Sequence, residues 1–590
     1  MSNLLTVIFG PLCGPECRRA LARGWLILVR CLAAAAVFFV AIIAYWFWWV
    51  NLGWDPYYKQ TYEIPTGLAI VEGMLITIAM VLGPALMAGS LAGEKERGVL
   101  ALLLTTRAKS REIVSGRLVG KLAQVGMILL ACLPALTWLA GLGGIGVAGF
   151  GIYLALPSAV AIGGGGLAAL ASTLSRRGRD ALLSVYLIDL FFMLSPLANL
   201  VGFVPGTLDL VASLNPYTGL LVLAYFGDPT VAWVSSGLWL LIGVAGVALA
   251  SWRLRPSCLA PLDGERISRR SHRPFFVPPV NEDRPMLWKE LFIERVGTLG
   301  RFGRWAGILL VAALGGGSLV LTVVMIAPVM GYGSYDSADW ARFQLERWIG
   351  ESGTFVAYLI EWAIGLRAAV SISSERERGT WDALLTSPLD AKSIVRAKLW
   401  GSLHAIRWLI VAAFVAWVLG AATESISISR AVRWGVEVLV VGAFMAAVGV
   451  RTSLTAPTAT RAMSITIGVW LGAYVASIFI AGLLLAAVFL VVNAVWLAAN
   501  QFGVGGRAGV AVAVPFALAY GWPIAVNLTY VIATALIVVD TRVRFDRLAG
   551  RMTEGDFAVA VDDMIYGRPA DEFLPEPSAA AFGAEPRSNP

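Results

Sequence analysis

Glu94-Lys95-Glu96-Arg97-Gly98 and Glu375-Arg376-Glu377-Arg378-Gly379 are two versions of one charged, glycine-closed stretch, and each follows an apolar run. They stand 281 residues apart (375 − 94). In that one frame Glu94, Glu96, Arg97 and Gly98 fall on Glu375, Glu377, Arg378 and Gly379. Leu103-Leu104-Thr105 falls on Leu384-Leu385-Thr386, Ile113-Val114 on Ile394-Val395, Leu118 on Leu399 and Gly120 on Gly401. Agreement at so many positions without a shift marks an internal duplication, which fixes the frame for everything around it.

The surroundings are apolar. The 590 residues are 58% hydrophobic and 14% charged, with mean hydropathy +0.75, where soluble domains carry about 25% charged residues. That excludes a soluble globular protein and predicts an all-α integral membrane protein. A helix needs about 20 apolar residues to cross a bilayer. Runs of that kind lie near 27–50, 68–92, 122–142, 148–173, 181–204, 231–252, 305–328, 354–373, 403–422, 431–450, 463–493 and 513–539. About twelve transmembrane helices, six per half, are expected, and the overlong 463–493 run is the place for a re-entrant break.

Cytoplasmic loops keep Lys and Arg, and the net charge of +8 is distributed accordingly. Basic residues fill the start (Arg18, Arg19, Arg23), loops 93–121, 174–180 and 374–402, the segment 253–304, and Arg451 with Arg461. The alternate loops 51–67, 143–147, 205–230, 329–353, 423–430 and 494–512 are poor in them. Both termini are therefore expected inside. Tyr45-Trp46-Phe47-Trp48-Trp49 and Trp54 then fall at the outer interface, where amphipathic rings prefer to sit. With an even span number the two copies face the same way, giving parallel repeats about an axis along the membrane normal and a central seam. The first apolar run is a full span, so no cleavable signal peptide is read. The five cysteines (13, 17, 31, 132, 258) show no metal-site spacing.

The division expected is a first six-helix repeat over 1–252, a cytoplasmic linker rich in Arg and Pro over 253–285, a second repeat over 286–545, and an acidic, Pro-rich disordered tail over 546–590. Each repeat opens on a short basic lead-in, 12–26 and 286–304. Trp288, Phe292 and Val296 recur at helical spacing with Lys289, Glu290 and Arg295 on other faces, as in a helix lying in the interface plane.

Loops 93–121 and 374–402 hold 29 residues each (121 − 92 and 402 − 373), far more than a turn needs. Ser387-Pro388-x-Asp390 reads as a helix start, with Ser as N-cap and Pro at the first helical position. Glu375 and Glu377 at the carboxyl end of a span would oppose its dipole, so either they face cations or they open a new helix. Gly98 and Gly379 suit a turn that needs a left-handed residue.

This pattern resembles the ABC-2 type permeases, the membrane subunits of ATP-binding cassette exporters. In those a Glu-x-Glu-Arg-Gly-Thr run and a following Leu-Leu-x-(Thr/Ser)-Pro lie between the second and third helices. The second copy, Glu375 to Thr380 and then Leu384, Leu385, Thr386, Ser387 and Pro388, follows it closely; the first has Val99 for Thr and Arg107 for Pro. The resemblance implies an all-α fold of the type V exporter kind and a coupling helix in each loop. It also implies ATPase contact through Glu94, Glu96, Arg97, Gly98, Leu103, Leu104 and Thr105, and through Glu375, Glu377, Arg378, Gly379, Leu384, Leu385, Thr386 and Pro388.

No P-loop of the form Gly-x4-Gly-Lys-(Ser/Thr) occurs; the stretch from Gly116 to Leu122 has the wrong spacing. ATP and magnesium are thus assigned to separate ATPase subunits, two per chain because both membrane halves are fused. No cofactor is expected on this chain, and its expected partners are those subunits and the lipid bilayer, with no nucleic acid. No nucleophile and base constellation stands out, so the chain is not read as an enzyme.

Ionisable groups inside spans are costly and mark function by default. Asp189, Glu361 and Arg367 are the candidates for a pathway or a contact between halves. Glu437 has Arg433 one turn earlier as a local partner, Asn493 and Asn527 are candidates for hydrogen bonds between helices, and Gly163 to Gly166 suit close helix packing. An ion-gradient carrier with six-plus-six parallel repeats is the rival, although its short second loop with a Gly-x3-Asp signature is not seen. A membrane scaffold regulated by an ATPase without moving solute is the other.

Overall fold

The computed structural model describes residues 13–50, 64–193, 213–259, 284–293, 307–501 and 521–550, apart from positions 23, 97, 107, 144, 146, 176, 309, 331, 333 and 388. Among these there are helices and no strands. The first half runs α1 (Cys13–Leu21), α2 (Gly24–Val50), α3 (Ile64–Glu96), α4 (Val99–Leu104), α5 (Ser110–Leu142), α6 (Val147–Leu174), α7 (Gly178–Met193), α8 (Pro216–Phe226) and α9 (Thr230–Leu259). The second runs α10 (Pro285–Trp288), which continues as a π turn (Lys289–Ile293), then α11 (Gly317–Ile326), α12 (Tyr335–Ser371), α13 (Ser373–Glu377), α14 (Trp381–Leu385) and α15 (Ala391–Ala405). It continues with α16 (Arg407–Ala422), α17 (Ile428–Thr455), α18 (Ala459–Gln501), α19 (Trp522–Val543) and α20 (Phe545–Ala549). In a medium without water each backbone polar group needs an internal partner, which is why so apolar a chain is helical throughout.

Six described helices are long and apolar enough to cross a membrane: Gly67–Lys95, Ser110–Leu142, Gly149–Leu174, Thr230–Cys258, Ile428–Thr455 and Pro523–Val543. A seventh is added if α15 and α16, bent by 53°, count as one span. The protein is thus an all-α membrane protein. The re-entrant break expected within 463–493 is not there, because α18 runs unbroken for 43 residues. The bend occurs at Ile406 instead, between α15 and α16, whereas α5 is continuous. The end of the 181–204 run, the aromatic Trp54, most of the linker, and the tail from 551 fall outside the described residues.

Helix starts keep the frame of the charged copies. Ser110, Val147 and Gly178 open α5, α6 and α7, and Ala391, Ile428 and Ala459 open α15, α17 and α18, each pair 281 apart (391 − 110, 428 − 147, 459 − 178). An outer helix that composition alone did not suggest, α8, is capped by the Asn215 side chain and stopped at Gly227, where φ is 69°.

Helices in lipid associate through close packing of small residues. Gly163 and Gly166 let α6 lie against α9, where a Cβ would run into Trp239 and into the Gly243 backbone. That is the close-packing role expected of the glycine run. The halves also share their core. Leu75, Val125 and Trp239 pack in one cluster with Phe444, Trp470 and Tyr530, and Leu118 and Leu182 pack in another with Leu366 and Met463. At the end of the bundle that carries the charged loops, Gly89 and Gly178 both face the Thr460 side chain.

Candidate functional site

Each charged stretch is folded around a cation, buried in the second copy and half-buried in the first. In the second copy α12 ends at Ser371, and a fresh turn, α13, begins, with Glu375 in its first turn, where a negative charge is favoured. Both sequence alternatives therefore hold: Glu375 opens a new helix and also faces cations. Its carboxylate accepts from Lys289 Nζ at 2.7 Å, lies 3.5 Å from Lys398 Nζ, and takes the Thr380 hydroxyl as a further donor. Lys398 has no exposed surface, and its ammonium also meets Glu290 at 2.5 Å and the Ser371 carbonyl at 3.0 Å. Burial works against the charge on Glu375, yet the Lys289 hydrogen bond, the Lys398 charge and the Thr380 hydroxyl outweigh it and hold the carboxyl at about 2.

The first copy repeats this with arginine. Arg117 meets Glu94 at 2.5 Å and Glu16, on α1, at 3.5 Å. Arg117 and Lys398 are one frame apart (398 − 117 = 281). The shared glycines have a purpose here. A Cβ on Gly120 would lie 3.1 Å from the Glu16 Cβ, and one on Gly401 2.8 Å from the Glu290 Cβ, so each lets the lead-in segment approach and deliver its acid.

A serine completes both knots. The Ser172 hydroxyl accepts the Ala92 N–H at 2.7 Å, and the Ser453 hydroxyl accepts the Ser373 N–H at 2.8 Å; donors and acceptors are again 281 apart (373 − 92, 453 − 172). Sequence reasoning missed Glu16, Arg117, Ser172, Glu290, Lys398 and Ser453 as partners. The signal for Arg117 and the serines was the frame itself, continued past the identical residues. Glu16 and Glu290 are 274 apart (290 − 16) and break that frame. Glu290, read as lying off the apolar face of a helix in the interface plane, is instead 4% exposed; it sits on the π turn over Lys289–Ile293 and meets Lys398 of α15.

After each knot the chain turns on glycine. Gly98 has φ 74° and Gly379 φ 70°, the left-handed conformation expected. The short helices α4 and α14 follow, held inward by Leu100 and Trp381, 1% and 4% exposed. Leu103, Leu104, Leu384 and Leu385 are half-buried, and Leu102, Thr105, Ala383 and Thr386 face outward. Thr105 and Thr386 also donate to carbonyls at the ends of these helices. Ser387 does not start a helix. Its hydroxyl donates back to the Leu384 carbonyl at 2.6 Å and closes α14, so that the next helix begins only at Ala391, with Asp390 as its N-cap residue. Arg97, Pro388 and the Glu96 side chain lie outside the described residues.

Glu377 points elsewhere. One oxygen lies 3.5 Å from Arg179, at the start of α7, and the other accepts the Ala459 N–H at 3.0 Å, at the start of α18. The second loop is thereby tied to the first half. Arg378 beside it is exposed.

Within the spans, Asp189 is 4% and Glu361 1% exposed, whereas Arg367 is half-buried. Glu437 forms no ion pair with Arg433 among the described residues. Asn527 donates to Pro523 in its own helix rather than across helices; the Asn493 side chain is outside the described residues. Glu72, which sequence reasoning passed over inside an apolar run, is fully buried with neither oxygen bonded.

Residues 316–494 match the model of a family described as ABC-2 family transporter protein. This stretch is similar to the ABC-2 family transporters. It contains Glu375, Lys398 and Ser453 of the second knot, the α13–α14 turn and Glu361, but not the lead-in residues Lys289 and Glu290, so the resemblance seen in Glu375 to Pro388 is supported over the membrane helices around it. The ABC-2 permeases are membrane transport subunits, and the family works with ABC ATPase partners. No curated protein and no solved structure matches the chain.

Proposed function

We propose that this chain is the membrane subunit of an ATP-driven exporter, with two separate ATPase subunits per chain docked on loops 93–121 and 374–402 at the cytoplasmic face of the cell membrane. The observation that carries the reading is the doubled knot. Two ion clusters of the same design, one buried and one half-buried, each brace a short helix whose outer face, Val99 and Leu102 in α4 and Asp382 and Ala383 in α14, is exposed. A buried salt bridge is weak support for stability alone; used twice under a short exposed helix, it suits a rigid mount that transmits force.

In this reading six spans per half form parallel repeats with both termini inside. ATP binding draws the two mounts together and rocks the halves about the seam marked by Arg179 and Glu377. The chain itself hydrolyses nothing and needs no cofactor. Gly98, Gly379, Arg378 and the Leu-Leu-Thr triplets shape or present the docking faces, while Glu94 and Glu375 hold them from beneath. The test is purification in mild detergent followed by vanadate-sensitive ATP hydrolysis. An ATPase that remains bound and active, and is lost on Leu102→Arg with Ala383→Arg, supports the reading; a chain that purifies alone and moves solute on an ion gradient removes it.

A further inference from the structure

The seam between the halves carries polar groups that nothing in the coupling loops uses. Asp189 on α7 is buried with both carboxylate oxygens lacking any hydrogen-bond partner among the described residues. Across from α7, Glu361 on α12 accepts the Trp470 indole N–H at 3.0 Å through one oxygen, and its other oxygen has no partner. The Trp362 indole N–H is buried and unpartnered too. Buried polar atoms in native proteins are nearly always bonded, and a bare carboxylate in a membrane is costly. Open acceptors and an open donor in one seam therefore point to something that binds there.

The walls between these groups are aromatic. Tyr186 of α7 meets Trp362 of α12 edge to face with centroids 5.5 Å apart, which joins the Asp189 side to the Glu361 side. Trp362 meets Trp470 at 5.2 Å and 87°, and Trp470 stacks on Tyr474 at 5.7 Å and 12°. Among the described residues no three His, Cys, Asp or Glu side chains are grouped to hold a metal ion. Separated carboxylates with ring faces between them suit a larger, soft cation, because aromatic rings attract positive charge at their faces and carboxylates complete its neutralisation.

We propose that Asp189, Glu361, Trp362, Trp470 and Tyr474 form a binding site for a hydrophobic organic cation, the cargo of the permease. The proposal rests on the exporter reading for the word cargo, and on the seam alone for the binding.

The test uses the purified full chain in lipid nanodiscs, without an ATPase, and tetraphenylphosphonium as probe. Saturable binding that quenches tryptophan fluorescence is expected, with affinity weakened by about tenfold or more in Asp189→Asn and in Glu361→Gln. Glu424→Gln, on an exposed residue at 87%, should leave the affinity unchanged, and uncharged triphenylphosphine oxide should not compete. Unsaturable uptake, equal affinity in both variants, or equal binding of the uncharged probe overturns the proposal. Should the variants fail to fold, the wild-type chain answers. The cation should slow labelling of Asp189 and Glu361 by a hydrophobic carbodiimide, and unaltered labelling also overturns it. A chain that binds no cation yet retains an active ATPase loses the cargo class and keeps the permease reading, whereas binding without any ATPase does the reverse.

Discussion

At the scale of single residues, Lys398 and Arg117 hold the two knots, each in contact with two acids from different segments. Removing one member of a buried ion cluster leaves an uncompensated charge, at a cost of roughly 3–5 kcal/mol. Lys398→Met should therefore lower the thermal midpoint of the detergent-purified chain sharply, and Lys398→Arg, which the first copy already uses, much less. An equal loss in both would mean that shape rather than charge governs the site. Glu375 gives a second prediction. Its carboxyl is depressed to about 2 from an ordinary 4.5, so its contribution to stability is complete above pH 4.5 and disappears as the pH falls through about 2. The wild-type midpoint should fall across that window, and Glu375→Gln, already lacking the contribution, should show a flatter profile.

At the scale of elements, the turns were legible in the sequence and the partners were not. Gly98 and Gly379 could be read as left-handed because only glycine adopts that conformation freely, and both φ values agree. A β-carbon there costs about 1–2 kcal/mol, so Gly379→Val should displace α14 and reduce stimulated ATP hydrolysis, with Gly379→Asn milder. A Gly379→Val chain with full stimulation would show that α14 needs no fixed entry angle. The length of α18 and the bend before α16 were not legible, since apolar runs state how much chain can cross but not where it straightens. Ser387 misled for a physical reason. A serine before proline can cap the following helix or bond back to the preceding one, and its hydroxyl took the Leu384 carbonyl. Glu16 and Glu290 escaped because the lead-in segments are seven residues out of frame (281 − 274). Glu72 was lost among the apolar neighbours of its span.

At the scale of the whole molecule, the halves meet through a shared core and through the ion pair of Glu377, in the second charged loop, with Arg179. If that pair aligns the two mounts, Glu377→Arg should impair coupled ATP hydrolysis, and adding Arg179→Glu should restore part of it. Failure of the double exchange to recover anything would assign Glu377 to the α18 terminus alone, where it accepts the Ala459 N–H. The most direct test of the central claim is the composition and activity of the complex purified in mild detergent. The account predicts two ATPase copies per chain, vanadate-sensitive hydrolysis, and loss of both when Leu102 and Ala383 are changed to Arg in a chain that still folds. A complex whose ATPase content and turnover survive that double change would contradict it.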